Sequence, residues 1–357
     1  MFSVIEIDKN NSDDIKNYLQ IHAECNLSFL QLPSWAKVKS DTWNSKLLII
    51  NQDDKPVSAS LLLYKNYGKI KIGYISHGLK LKESLLEAEY YSEYIKSLKK
   101  FLLSIVDIII VEPPFSYQNQ EFFTKILGES LRNNGFQPYI EQFNPQYTSI
   151  IDLRDTEEAI FSTFKKDTRN LIRNAQKQNL TIEIGNTDKE LDSFYSIMKS
   201  LENERGYIIR SKNYYKTILD EFSRQNQISI VNILKDGIVL GSSLIIFCNQ
   251  VAYELYGGTN NEGKKYNVPR FLKWEDIKHA KAHGCETYDQ CGATITHTNS
   301  IQYQYGKFKA EFSSNFIETL PQYISAKNGL LIFLFRAFGV LRHIYSVIYK
   351  SLKKVTK

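Results

Sequence analysis

One order of elements occurs twice along this chain of 357 residues: strand, turn, strand, strand, long helix, strand. The first copy is predicted at residues 46–51, 57–64, 70–77, 81–103 and 106–111. The second copy is predicted at residues 228–234, 238–248, 250–257, 269–282 and 286–289. Corresponding residues such as Tyr74 and Tyr256 are separated by about 180 positions, which indicates two diverged copies of one unit.

The turns and the helix of each copy predict its sheet. Asp236-Gly237 between two apolar runs is a strong hairpin signal, so the first strands are expected to be antiparallel. The helix before the last strand is a crossover, which requires a parallel pair in a mixed sheet. An antiparallel meander followed by a helix and a splayed strand is the plan of the GNAT acyltransferase fold. We therefore predict an α/β (α+β) protein with a tandem pair of GNAT-like domains.

The two copies set the predicted domain boundaries. Residues 1–150 are assigned to the first domain, which residues 316–357 are expected to join, and residues 151–315 to the second. A helix is predicted between the copies, at about residues 156–178, with Thr156 as its N-cap. A chain of this length can bury two sizeable cores.

Composition narrows the classes of protein. The net charge of +6 is compatible with polyanionic partners but does not establish one. The four cysteines form no CxxC pair, so reduced thiols in a cytosolic protein are expected. The first residues show no secretory signal, and the chain has no apolar run of about 18 residues. These features predict a cytoplasmic location.

Several segments of the chain occur in the order of a known family. They are residues 29–39 (FLQLPSWAKVK) with Trp43, residues 164–175 (FKKDTRNLIRNA), residues 207–210 (YIIR) with Tyr214, and residues 253–309. On these segments the chain resembles the Fem (FemABX-like) family of peptidoglycan-bridge aminoacyl transferases. The interval 204–228 is too short for the coiled-coil insert of some members, so the resemblance is to the compact form. The family's glycine-rich Tyr-Asp motif departs here to YDQCG at residues 288–292.

The resemblance implies a reaction and its substrates. The donor would be aminoacyl-tRNA, as co-substrate, and the acceptor would be the free amine on the stem peptide of a peptidoglycan precursor, either lipid II or UDP-MurNAc-peptide. Such aminolysis of an ester needs no metal and no cofactor, because positioning and oxyanion stabilisation can supply most of the acceleration. The amino acid transferred and the oligomeric state stay open.

Two residues are candidates for catalysis. Lys309 matches the functional lysine of the family's Phe-Lys segment, where an ammonium could stabilise the oxyanion or the departing ribose oxygen. Its alternative is a surface lysine, with Lys307 nearby. Glu112 follows the last strand of the first copy, where compact members have an aspartate, and could accept the proton of the amine. Its alternative is a solvated acid at the end of a strand.

Five residues are candidates for binding the acceptor. Lys37 or Lys39, together with Arg210 and Tyr214, occupy positions that resemble the family's contacts to the acceptor phosphates. A lysine or a guanidinium suits a pyrophosphate, and a phenol adds a neutral hydrogen bond. Tyr256 ends its strand beside two glycines and is a candidate substrate contact, or else a core tyrosine.

A basic row lies on the helix predicted between the copies. Lys166, Arg169, Arg173 and Lys177 recur every three or four residues, and Lys165 flanks them. Such a row can follow the phosphates of tRNA or of the precursor, although a charged helix face is often only solvated.

The C-terminal residues 329–357 are predicted to form a basic amphipathic helix. A broad apolar face with a basic stripe is typical of helices that lie on anionic membranes. We therefore predict peripheral contact with the inner leaflet of the cytoplasmic membrane. The alternative is a helix that packs against the first domain.

Two other functions are compatible with the sequence. One is a GNAT-fold N-acyltransferase that modifies a surface polysaccharide sugar, for which residues 263–265 (GKK) offer a weak candidate pyrophosphate loop for CoA. The other is a non-catalytic membrane-associated scaffold.

Overall fold

The computed structural model describes residues 1–85, 87–115, 120–139, 143–298 and 301–337. The first half contains ten helices and strands, with short 3-10 turns at Phe29–Gln31 and Glu83–Leu85. In chain order they are β1 (Phe2–Glu6), α1 (Ser12–Glu24), α2 (Pro33–Val38), β2 (Asn44–Gln52), β3 (Lys55–Tyr67), β4 (Ile70–Ser76), α3 (Ala88–Ile105), β5 (Ile108–Glu112), α4 (Gln120–Asn133) and β6 (Gln137–Tyr139).

The second half adds strands and helices in a related order. They are β7 (Tyr147–Asp152), α5 (Glu157–Thr163), α6 (Lys166–Gln176), β8 (Thr181–Gly185), α7 (Asp188–Arg205), α8 (Lys212–Ser223), β9 (Ile228–Lys235), β10 (Ile238–Cys248), β11 (Val251–Thr259), α9 (Asn261–Lys265), α10 (Val268–Ala282), β12 (Thr287–Asp289), α11 (Ile301–Lys309), β13 (Phe316–Glu318) and β14 (Gln322–Ala326). Only residues 206–211 separate α7 from α8, which leaves no room for a coiled-coil insert between these two helices.

The strands form two seven-stranded sheets with matching plans. The first has the order β1-β2-β3-β4-β5-β14-β6, and the second, read from its other edge, β8-β9-β10-β11-β12-β7-β13. The fourth and fifth strands of each sheet are parallel, as the crossover helices α3 and α10 require, and the other pairs are antiparallel. The predicted mixed sheets and their duplication are confirmed.

The chain crosses between the sheets twice. It leaves the first sheet after β6 and enters the second at β7, and it returns between β13 and β14. The predicted boundary at residues 150/151 falls inside β7. Strand β14 pairs with β5 and β6, so the first sheet includes a strand that follows all strands of the second sheet in the sequence.

The prediction of a single helix at residues 156–178 is wrong. The segment forms two helices, α5 and α6, which are separated at Phe164 and Lys165. Phe164 is buried against Trp274 and Phe312, and the backbone N–H of Lys165 donates to the carbonyl of Glu311. These tertiary contacts break the helix, while Thr156 caps α5 as predicted.

Aromatic side chains of both halves share one core at the seam between the sheets. The Phe29 ring centre lies 5.3 Å from that of Trp35, 6.4 Å from that of Phe222 and 5.0 Å from that of Tyr253. All four belong to a hydrophobic cluster with members from both halves. Helices α2 and α8 therefore meet across the seam.

The beginning of the predicted C-terminal helix packs on the first half. Residues 329–337 are helical, and the Phe335 ring lies 5.9 Å from that of Tyr139. Leu330 and Phe333 are exposed. Residues 338–357, which carry most of the predicted basic stripe, lie outside the described residues. Within the described ranges, every helix is too short or too polar to cross a membrane.

Replacing Phe29 with alanine should destabilise the folded protein by about 3–5 kcal/mol, because the change leaves a cavity between the halves. The free energy of unfolding from urea titrations measures this effect. Phe333→Ala is the matched control, since that ring is 67% exposed, and it should change stability by less than about 0.5 kcal/mol. Equal effects of the two substitutions would contradict a shared core.

Candidate active site

The candidate residues lie around the points where the two parallel strand pairs end. The pairing of β4 with β5 ends at Ser76 and Glu112. The pairing of β11 with β12 ends at Tyr253 and Asp289, although β11 continues along β10 to Thr259. β11 therefore continues past the point where its pairing with β12 ends. Ligands of α/β sheets commonly bind at such carboxyl ends of strands.

Four of the predicted acceptor-binding residues come together at the seam. The Lys39 ammonium donates to the Tyr214 hydroxyl at 3.0 Å and lies 4.4 Å from the centre of the Trp35 ring. The Arg210 guanidinium lies 5.5 Å from the centre of the Tyr214 ring. Tyr256 adjoins Tyr214, and burial raises the pKa of its phenol well above the usual value. Lys39, Arg210, Tyr214 and Tyr256, here called the Lys39 cluster, thus place two cations beside two phenols.

Local sequence explains how this cluster forms. Lys39 follows Trp35 by four residues, so both side chains project from the same side of α2. On the facing helix, the Ser211 side chain caps α8 by accepting from the Tyr214 backbone N–H at 3.3 Å. The backbone N–H of Arg210 donates to the Tyr215 hydroxyl at 3.4 Å, which holds Arg210 at the start of the helix.

Lys37 lies elsewhere. Two residues correspond to slightly more than half a helical turn, so Lys37 and Lys39 point to opposite sides of α2. The Lys37 ammonium is 3.4 Å from the carboxylate of Glu221 near the end of α8. Of the two lysines that the sequence left as alternatives, the structure brings only Lys39 to Arg210 and Tyr214.

Lys309 ends α11 and reaches the loop after β12. Its ammonium donates to the carbonyls of Cys291 and, at 3.4 Å, Gly292. Burial lowers the pKa of this lysine below its usual value. Gln290, at the departure from the family motif, donates to the Lys309 carbonyl at 3.3 Å and to the Ser149 hydroxyl at 2.9 Å. Gln290, which differs from the family motif, therefore helps to position Lys309.

A buried polar cluster between α10 and strands β10 and β11 was missed from the sequence. Lys273 of α10 is 3% exposed and pairs with Glu254 of β11. Asp276, one turn further along α10, is fully buried and accepts from the Ser243 hydroxyl at 2.6 Å. Burial lowers the pKa of Lys273 and raises that of Asp276 relative to their usual values. The sequence signal that could have revealed this cluster is a lysine and an aspartate three positions apart on a side of the helix that is otherwise apolar.

Glu112 lies at the end of β5, and its recorded hydrogen bonds go to residues other than Lys309. It is 3% exposed, so the alternative of a solvated acid is wrong. Its carboxylate accepts from the Tyr74 hydroxyl at 2.6 Å and the Ser76 hydroxyl at 2.7 Å. It also accepts from the backbone and the side chain of Asn144, and from the Gln322 amide at 2.8 Å. Both carboxylate oxygens are therefore engaged by donors.

His77 lies between the ends of the two parallel pairs. Its Nε2 is 3.8 Å from the Glu112 carboxylate and has no hydrogen-bond partner among the described residues. Burial lowers the pKa of the imidazole, while the charges of Glu112 and Asp289 oppose that shift. The imidazole ring of His77 is therefore within electrostatic range of both Glu112 and Asp289.

The basic row lies on α6 and on the two residues that cap it, Lys165 and Lys177. Lys165 precedes the helix, and Lys165, Lys166, Arg173 and Lys177 are exposed. Arg169 is half-buried, because its guanidinium donates to the carbonyl of Ser162 at 2.8 Å and to that of Phe164. These contacts close the end of α5, so Arg169 has a structural role that the other four residues do not share.

The candidate pyrophosphate loop at residues 263–265 forms the short helix α9. A Cβ atom added to Gly263 would lie 2.6 Å from the carbonyl oxygen of Leu240, so this glycine permits close packing on β10. Lys264 and Lys265 are paired with Asn261 and Glu262. This glycine therefore serves the contact between α9 and the sheet.

Comparison with known proteins identifies the class. The two-sheet plan resembles a tandem GNAT protein from the clavulanic acid biosynthesis pathway, at a TM-score of 0.53 and 9% identity over 92% of this chain and 99% of that one. The crystal structure of FemX is more similar, with a TM-score of 0.81 and 18% identity over 93% of this chain and 99% of that one. The fold is that of paired GNAT-like acyltransferase domains.

The chain belongs to the FemAB family, which it matches over residues 11–235 and 232–337. The lipid II:glycine glycyltransferase of Staphylococcus saprophyticus is 23% identical in an alignment of 424 positions, gaps included, that covers 98% of this chain and 97% of that protein. The Staphylococcus aureus enzyme of that name is also 23% identical, over 79% of this chain and 83% of its own. The protein is an enzyme of the aminoacyltransferase type.

Substituting alanine for Gly306 should displace α11 and with it Lys309. A Cβ atom there would overlap the backbone carbonyl of Thr294, which cannot move as a flexible side chain would. We expect a loss of about 1–3 kcal/mol in the free energy of unfolding, together with lower activity. Gly329→Ala is the control, because a Cβ atom at Gly329 meets no atom within 4 Å. Comparable stability of the two variants would show that α11 does not depend on this close contact.

Proposed function

We propose that this enzyme transfers an amino acid from aminoacyl-tRNA to the free amine of the stem peptide of lipid II. The support is twofold. The relatives that align over most of this chain carry the name lipid II:glycine glycyltransferase. The observation that favours a phosphorylated acceptor most is the Lys39 cluster, in which two halves of the chain combine two cations and two phenols.

The acceptor's diphosphate would bind at the Lys39 cluster. Arg210 presents a planar fork of donors and Lys39 a compact ammonium, which together suit a diphosphate better than a single phosphate ester. The Tyr214 hydroxyl already accepts from Lys39, so its own proton stays available for a phosphate oxygen. Nothing in this recognition requires a nucleoside, and the same contacts would hold the diphosphate of UDP-MurNAc-peptide.

The transfer itself is an aminolysis. The acceptor amine attacks the ester carbonyl, the new C–N bond forms and the C–O bond to the tRNA ribose breaks. The proton that the amine loses balances the proton that the departing ribose oxygen gains. Lys309 is proposed to stabilise the oxyanion, because carbonyl acceptors already hold its ammonium in place before substrate binds.

Glu112 is proposed to position the site rather than to accept the proton. Its carboxylate oxygens already accept from Tyr74, Ser76, Asn144 and Gln322, so fixed donors occupy their lone pairs. It would therefore keep these donors in a fixed arrangement at the end of β5.

The donor tRNA and the membrane would contact other surfaces. The exposed cations Lys165, Lys166, Arg173 and Lys177 form the proposed phosphate contact for tRNA. Peripheral association with the cytoplasmic membrane through residues 329–357 remains our proposal, since a lipid-linked acceptor lies at that surface.

A transfer assay with purified protein tests the reaction. Labelled amino acid should move from a pool of charged tRNAs to lipid II. Lys309→Met should lower kcat by about 10²–10³-fold, as the loss of a transition-state donor does. Lys307→Met, which changes an exposed lysine two residues away, should stay within about twofold of the wild type. Acylation from an acyl-CoA, with no transfer from any charged tRNA, would refute the proposal.

The Lys39 cluster makes a separate prediction for acceptor affinity. With a water-soluble, short-chain lipid II analogue, Lys39→Met should raise KM by about tenfold or more, because a charged contact to phosphate is lost. Lys37→Met removes the same group from the opposite side of α2 and should change KM by less than about twofold. The reverse order of effects would place the diphosphate beside Glu221 instead.

A further inference from the structure

A cavity of ≈ 390 Å³ lies on the side of α2 opposite the Lys39 cluster. Helices α1 and α2 and strand β2 supply its walls from the first half, and the end of α8 supplies its rim from the second. The Ser34 hydroxyl donates to the Glu221 carbonyl at 3.3 Å, which joins the two halves at the rim. The volume falls within the range of about 300–1,000 Å³ that is typical of small-molecule sites.

The walls of this seam cavity are aliphatic. Ile15 and Leu19 of α1 face Leu32 before α2 and Leu47 of β2. Among the described residues, no aromatic side chain is part of the lining. Nucleobases bind chiefly by stacking on aromatic rings or guanidinium planes, so this wall favours a hydrocarbon chain over a nucleotide.

The rim is cationic. Lys9, Lys37 and Arg224 line it, and Glu221 is the one carboxylate among the lining residues that the structure describes. Glu221 lies 3.4 Å from the Lys37 ammonium and 3.7 Å from the Arg224 guanidinium, and it can neutralise only one of the three charges. Lys9 donates to the Ser45 hydroxyl at 2.9 Å, which points its ammonium at the cavity lining. The rim therefore carries an excess of positive charge beside an aliphatic wall.

We propose that the seam cavity binds an anionic phospholipid, with one hydrocarbon chain against the aliphatic wall and its phosphate at the cationic rim. This site is separate from the acceptor and donor sites proposed above, because α2 lies between it and the Lys39 cluster. It gives the folded domains their own contact with an anionic membrane, independent of the C-terminal residues. Since both halves contribute to the rim, bound lipid also bridges the seam.

Calorimetric titration of the full-length chain with monomeric short-chain lipids tests the proposal. Dihexanoyl-phosphatidylglycerol should bind saturably, one molecule per chain. It should bind at least about tenfold more tightly than dihexanoyl-phosphatidylcholine, which has the same chains but no net charge, and than glycerol phosphate, which has no chain. Equal binding of the phosphatidylcholine, or of glycerol phosphate, would overturn the proposal in favour of an apolar pocket or a free-phosphate site.

Substitutions locate the binding. Leu19→Trp fills the cavity and should abolish binding, and Ser40→Trp, on the exposed rim, serves if the first variant does not fold. The double variant Lys9→Gln/Arg224→Gln should weaken binding of the phosphatidylglycerol about tenfold and leave the phosphatidylcholine unchanged. Lys16→Gln/Lys125→Gln removes the same charge from exposed positions outside the lining and should have no effect. Unchanged binding in the cavity variants would assign the lipid to another surface and refute the site.

Discussion

The seam between the two halves is the constraint on which the rest of the structure depends. Phe29 and Trp35 of the first half pack with Phe222 and Tyr253 of the second in one hydrophobic core. Strand β14 then completes the first sheet from the far end of the chain. Neither half can move independently without exposing this core, so the shared core holds α2 and α8 in fixed positions relative to each other. Both the Lys39 cluster and the seam cavity are built on that pair of helices.

The charged side chains of the two halves differ in their exposure to solvent and in their partners. The exposed cations of α6 are free to meet a mobile polyanion, whereas Lys309 and Lys273 are held by carbonyls or a carboxylate in the second half. Burial lowers the pKa of both lysines. Glu112 lies at the equivalent strand end of the first half and is surrounded by neutral donors. The duplicated fold therefore supports two chemically different strand ends.

The duplicated strand order could be read from the sequence because hairpin turns and crossover helices leave local, periodic signals. The break between α5 and α6 could not, because it depends on Phe164 packing against Trp274, far along the chain. The sequence analysis also missed Lys273 and Asp276, because nothing local shows that this side of α10 is buried against the second sheet. Their burial follows from the position of α10 against the second sheet.

The sequence by itself determined the family, the two mixed sheets and the types of residue available to the site, since these rest on local patterns and on segments in a fixed order. Tertiary structure decided which of those residues meet. Lys37 and Lys39 are chemically identical and lie on opposite sides of α2, and the packing of α2 against α8 decides that Lys39 meets Tyr214 while Lys37 meets Glu221. Helical spacing gives the direction of each side chain, but tertiary packing decides which neighbour that side chain contacts, and a linear pattern does not record it.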